Sequence, residues 1–160
     1  MEGYLKNKVT FLIPLLDRPN YTKDFLKYNI FDEFNYLFAD GSTSNKNEKI
    51  FSKINSENKI YKRFQSDKSH IQFYKKMHEA SKMVKTKYIM TCDNDDFINR
   101  KGVNKLINIL EIKKKYDLGI GYIAHVFFRK NKFRLAEISN SLDTYENKNK
   151  SQILNKEFFI

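Results

Sequence analysis

Residues 9–16, VTFLIPLL, make a near-continuous apolar run. Such a run belongs to a strand covered on both faces, and therefore to a parallel sheet. Pro14 has no amide hydrogen to give a ladder, so regular pairing is expected to stop there. Asp17-Arg18-Pro19-Asn20 then reads as a loop, and residues 21–28 as a helix with Tyr21, Phe25 and Tyr28 sharing one face. A second apolar run, FNYLFA at 34–39, ends in Asp40-Gly41-Ser42-Thr43-Ser44-Asn45. Gly41 suits a tight turn there, and the hydroxyls with Asn45 suit the cap of a following helix. Residues 46–57 read as a polar, Lys-rich helix on a solvated face, and 59–64 as a short third strand.

Ser69 followed by Gln72 has the spacing of a capping box. Phe73, Met77, Ala80 and Val84 then recur at helical spacing, which lays one apolar stripe on the sheet. The next stretch organises the chain: Tyr88-Ile89-Met90 runs through Thr91 and Cys92 into Asp93-Asn94-Asp95-Asp96. Val103, Leu106, Ile107 and Leu110 give the following helix its apolar face. Residues 118–128 read as a further strand, 129–132 as a basic turn and 133–138 as a return strand. From 139 to 150 the sequence is polar and loop-like, and residues 157–160 are again apolar. Alternating strands and helices predict a single α/β domain over residues 1–160, an open and mostly parallel sheet with helices on both faces. Three strands end in polar clusters, at Asp17-Arg18, at 40–45 and at 93–96. A parallel sheet puts all three on one edge, where ligands of such folds sit.

Composition narrows the partners. Lys and Arg number 30 against 19 Asp and Glu, a net charge of +11, which favours anionic ligands. The single cysteine, Cys92, excludes an internal disulfide and a multi-cysteine metal site, and suits a reducing compartment. The N-terminal apolar run is too short to span a membrane and no small-residue cleavage site follows it, so the cytoplasm is the expected location. Three carboxylates in four residues repel one another, so 93–96 is either a solvated turn or a cation site. Oxygen ligands of this kind suit Mg²⁺ or Mn²⁺ that also holds a phosphate. The three histidines are dispersed and suggest no metal cluster. The aromatic residues interleaved with lysines at 59–76 read as ordinary core beside solvated charge, and nucleic acid is not the expected partner.

Strand plus PLLDRP, strand plus ADGSTSN and strand plus CDNDDF resemble, in order and spacing, the donor half of family-2 glycosyltransferases of the GT-A fold. The resemblance covers residues 9 to about 112. It implies a Rossmann-like three-layer αβα sandwich with a mostly parallel central sheet, and transfer of a sugar from a nucleotide-diphosphate sugar to a glycan or lipid-linked acceptor, in surface polysaccharide synthesis. On this likeness Pro14, Leu15, Asp17 and Arg18 approach the nucleotide, Asp40 contacts the base, and Asp93-Asn94-Asp95 is the D-x-D motif. Its first acid faces the ribose and its second binds Mn²⁺ or Mg²⁺; Asp93 and Asp95 are the expected metal ligands, with Asp96 supporting them. Lys76 takes the place of an Arg that many members carry. Members usually continue into an acceptor half that holds the catalytic base. The part from about 117 to 160 is expected to be a short or incomplete version, with Glu137 and Asp143 as candidate bases and peripheral contact with the inner face of a membrane. Two other classes compete. A haloacid-dehalogenase-type phosphatase would carry Asp-x-Asp on its first strand, whereas here it is on the fourth; a non-catalytic basic binding module remains the stronger rival.

Overall fold

The computed structural model describes residues 8–113 and the backbone of strands 123–129 and 132–139. The chain divides into two compact units, Met1–Ile98 and Asn99–Ile160. The first runs β1 (Val9–Leu15), α1 (Pro19–Tyr28), β2 (Asn35–Asp40), α2 (Lys46–Phe51), β3 (Lys59–Arg63), α3 (His70–Ser81) and β4 (Tyr88–Thr91). Its four strands form one sheet in the order β3-β2-β1-β4, and every neighbouring pair is parallel. The fold is therefore α/β, as the alternating pattern predicts.

Successive strand residues point to opposite sides of a sheet, and the two sides of this one are built differently. On one side Phe11, Tyr36 and Phe38 are buried and joined by ring contacts to Phe25 of α1, Phe34 before β2 and Phe51 of α2. Phe38 meets Phe51 at 4.6 Å and Phe25 edge-on at 5.9 Å between ring centroids. On the other side Leu12, Leu37 and Ala39 meet Ala80 of α3, with Phe64, Met77 and Val84 closing around them. The Tyr36 hydroxyl, buried among rings, donates to Asn29 O and accepts from Phe31 N, each at 2.9 Å. Burial pushes its pKa well above the usual tyrosine range.

Helix α3 starts as its sequence predicts, with Gln72 N donating to Ser69 Oγ at the cap. Other elements differ from expectation. Helix α1 buries Thr22 and Phe25, while Tyr21 and Tyr28 are half exposed. The inward stripe of α1 continues into the buried Asn29, so its polar members hide it from a reading based on apolar spacing. Helix α2 stops at Phe51, well before residue 57, with Ser52 as its C-cap and Phe51 packed in the ring cluster. Strand β4 lies at the edge of the four-stranded sheet and is only half buried, with Ile89 exposed.

In the second unit α4 (Arg100–Ile112) is capped by Asn99, whose side chain accepts from Gly102 N at 3.0 Å. It buries Val103, Ile107 and Leu110, three of the four expected positions. Strands β5 (Ile123–Arg129) and β6 (Lys132–Ser139) pair antiparallel, with a register shift between His125 and Val126. The expected loop after residue 139, with Asp143, and the apolar residues 157–160 lie outside the described residues. Among the described residues no helix is long and apolar enough to cross a membrane.

Phe38 touches both helices on its side of the sheet and is fully buried. Phe38→Ala should therefore cost about 3–5 kcal/mol in urea unfolding. Ile60→Ala, at a half-exposed position of β3, should change stability by roughly 0.5 kcal/mol or less.

Candidate functional site

In the order β3-β2-β1-β4 the chain reverses direction across the sheet between β1 and β4. Open parallel sheets leave a crevice at such a point, outside the carboxyl ends of the strands. The loops that border it are 16–18 after β1 and 92–98 after β4, and the loop 41–45 after β2 lies beside the first of these.

These three loops are held together by buried hydrogen bonds. Asp40 ends β2 with no solvent exposure. One of its carboxylate oxygens accepts from the Ser42 amide at 2.9 Å and from the Ser42 hydroxyl; the other accepts from the Tyr61 hydroxyl at 2.6 Å. Burial, with Asp40 beside it, pushes the Tyr61 pKa far up and keeps that proton in place. Ser42 Oγ in turn accepts from Asp17 N at 2.8 Å and from Asn47 Nδ2 at 3.0 Å, which fills its bonding capacity. Asn47 Oδ1 accepts from Thr22 Oγ1 at 3.1 Å, and Thr22 Oγ1 accepts from Asn94 Nδ2 at 3.1 Å. An unbroken chain of bonds thus runs from β2 through α2 and α1 to the acidic turn.

A second clamp holds the far end of that turn. Asn29 Nδ2 donates to Asp96 O at 3.0 Å, and Asn29 Oδ1 accepts from Ile98 N at 2.7 Å. Asp17 sits at φ 44°, a left-handed conformation tolerated by few residues other than Gly and Asn. Its carboxylate accepts from the amides and hydroxyls of Thr43 and Ser44 at 2.7–3.1 Å. These bonds, the Thr43 amide foremost, hold its pKa well below the ordinary aspartate value.

Beneath the rim lies a buried ion pair. Lys76 Nζ meets Asp67 with side chains 2% and 4% exposed, and Lys76 Nζ also donates to Leu15 O at 3.4 Å. Asp67 N donates to Gly41 O at 2.8 Å. A Cβ on Gly41 would lie 2.4 Å from the Asp67 carboxyl group. Gly41 is thus required for room and not for its turn conformation, since no glycine among the described residues has positive φ.

The expected site residues consequently fall into two sets. Asp40, Asn94 and Leu15 face inward: the Asp40 carboxylate and the Asn94 amide are enclosed, and the Leu15 carbonyl is taken by Gly41 N and Lys76. The contact of Asp40 with a base, expected from the motif, does not match this enclosure, and Asn94 binds α1 where a nucleotide contact is expected. Lys76, expected at the nucleotide, is buried in its pair with Asp67. Pro14 stays within β1, half buried. Arg18, Asp93 and Asp95 are exposed around the crevice. Arg18 pairs with Asp95 across it, the two side chains 48% and 35% exposed, and its guanidinium lies 5.2 Å from the centre of the Tyr21 ring. Glu137 lies on β6, opposite His125.

Cys92, at the start of the acidic turn, is half buried. Burial, with the carboxylates of Asp96, Asp93 and Asp95 nearby, pushes its thiol up to about 12. It stays protonated at neutral pH and is no nucleophile. Among the described residues no group of three or more His, Cys, Asp and Glu side chains is arranged to hold a metal. No protein-family model matches the chain, and no curated protein matches it either. The resemblance to family-2 glycosyltransferases accordingly rests on the three strand-end motifs.

Sequence reasoning missed Thr22, Asn29, Asn47 and Asp67. Each is a polar residue whose partner is distant in sequence, and the one local signal was their position at the inward face of a helix or beside a strand end.

Two measurements test this scaffold. A depressed carboxylate pKa stabilises the folded chain above the unfolded value of about 3.9, and that gain is lost as pH falls towards the folded pKa. Asp17→Asn should therefore be less stable than the parent at pH 7, by about 1 kcal/mol or less given the exposure of the site, and the gap should close below about pH 4. Gly41→Ala should destabilise by about 1–3 kcal/mol in thermal or urea unfolding, because a short carboxylate locked in a buried pair cannot make way for the added carbon.

Proposed function

We propose that the chain is a nucleotide-sugar-binding domain of a glycosyltransferase with the three-layer GT-A arrangement, acting on a glycan or lipid-linked acceptor at the cytoplasmic face of a membrane. One observation carries the reading. The acidic turn and Arg18 face each other across the point where the strand order reverses, the place where open α/β sheets take nucleotides.

The arrangement of charges suits a diphosphate. An exposed ion pair contributes about 0–1 kcal/mol, so Arg18 and Asp95 can part at little cost. Released, Arg18 offers a planar fork for phosphate oxygens, and Asp95 offers a hard oxygen ligand. Mg²⁺ and Mn²⁺ are commonly held by one or two carboxylates, with substrate phosphates and water completing the shell. Asp95 and the exposed Asp93 supply that number without a third side chain. The ion would stabilise negative charge on the leaving diphosphate. Asp93 stands at the ribose side, and the backbone of 16–18 forms the opposite wall. Asp40, bonded to Ser42 and Tyr61, fixes the loop at 41–45, against which the nucleoside would lie. Glu137 and Asp143 are the candidate bases for the acceptor hydroxyl.

Calorimetric titration with a panel of nucleotide-diphosphate sugars tests the reading. Mn²⁺-dependent binding should weaken by about tenfold or more in Asp95→Asn and by less in Asp96→Asn. Equal affinity of Asp95→Asn and the parent with Mn²⁺ present overturns the metal assignment. Nucleotide release that rises when acceptor is added, towards rates on the order of 1 per second, would support transfer. Absence of binding by every donor, with and without Mn²⁺, would overturn the reading as a whole.

A further inference from the structure

Away from the crevice, α1 and the stretch from α2 to residue 53 border an open groove of about 600 Å³, and its walls carry Lys23, Lys46, Lys49 and Lys53. All four lysines are exposed. Lys46, Lys49 and Lys53 are three and four residues apart, so they line one side of the groove, with Lys23 of α1 opposite. Among the described residues no carboxylate lines it. Glu48, the acid of α2, is instead paired with Arg63 at 3.0 Å. Like charges gathered in a concavity repel one another, and an anion placed among them relieves that repulsion.

We propose that this groove binds a linear polyanion that carries no bases, a chain of phosphate or carboxylate groups such as an anionic glycan. Three features select that chemistry. Among the described residues no aromatic ring lines the groove, which gives no platform there for the base stacking by which proteins hold single-stranded nucleic acid. The lysines stand on both walls of an open groove, three on the α2 side and Lys23 on α1, so a single linear chain can run between them. Ile50 is the one large apolar side chain in the wall among the described residues, too little for a hydrophobic ligand. The inference does not rest on the glycosyltransferase reading; if both hold, the groove identifies the acceptor as an anionic chain.

Linear polyphosphate is a suitable probe, measured by calorimetry on the full chain without metal or nucleotide. Replacing Lys46, Lys49 and Lys53 together by Gln should weaken binding by about tenfold or more, with a shallower dependence on salt. Replacing the exposed Lys62, Lys75 and Lys85 by Gln removes the same charge and should cost about threefold or less. Equal losses in the two variants would make the binding a property of net charge and overturn the proposal. So would a single-stranded oligonucleotide of equal charge that binds more tightly and is lost with the groove lysines, or anionic phosphatidylglycerol vesicles that bind where polyphosphate does not. An amine-reactive footprint on the parent chain gives an answer independent of the variants' folding. Polyphosphate should shield Lys23, Lys46, Lys49 and Lys53 from the reagent more than Lys62, Lys75 and Lys85, and uniform labelling would overturn the proposal.

Discussion

A carboxylate without solvent contact closes the second strand, and the loops at that edge of the sheet are arranged to make its burial tolerable. An unsatisfied buried charge would cost several kcal/mol. Asp40 avoids this by accepting three hydrogen bonds, two from Ser42 and one from Tyr61. Ser42 can serve only if its own oxygen is oriented, which Asn47 and the Asp17 amide accomplish. Asn47 depends on Thr22, and Thr22 receives Asn94. Ser42, Asn47 and Thr22 each both donate and accept, so the conformation of one loop is transmitted to the next. Networks of this kind are rigid when complete and costly when one member is lost.

That rigidity explains the division of labour among the charged residues. Asp40 and the pair Lys76–Asp67 are inside and fully engaged in holding loops, save one Asp67 oxygen that faces Gly41 without a polar partner. Asp93, Asp95 and Arg18 project from loops thus fixed. A site whose ligands are positioned by buried supports loses little order on binding. The exposed Arg18–Asp95 pair is the adaptable part of an otherwise fixed rim.

Much of the fold was legible because β1 and β2 are apolar on both sides and alternate with helical patterns. The convergence of three polar strand ends followed from parallel pairing alone. The direction each polar residue faces was not legible. Asp40 and Asp93 both follow apolar runs and look alike in sequence; one is enclosed because Tyr61 stands beside it on β3, a neighbour that only the strand order supplies. Lys76 reads as one basic residue among thirty, and its burial depends on Asp67 folding back over Gly41. The face of α1 was misread for a related reason: its inward positions include Thr22, and Asn29 just beyond it, held by hydrogen bonds and not by hydrophobicity.

Strand β3 has one further consequence. Among the described residues it is an edge of the four-stranded sheet, paired on one side with β2. An open edge with unused backbone groups invites a strand from another molecule. Here the five residues KIYKR place Lys59, Lys62 and Arg63 along a strand that is also short. A second copy approaching that edge would bring its own lysines against these and have to bury them. The same residues that add to the positive charge of the chain therefore keep neighbouring molecules from joining their sheets, and this protection lies at the opposite edge from β4.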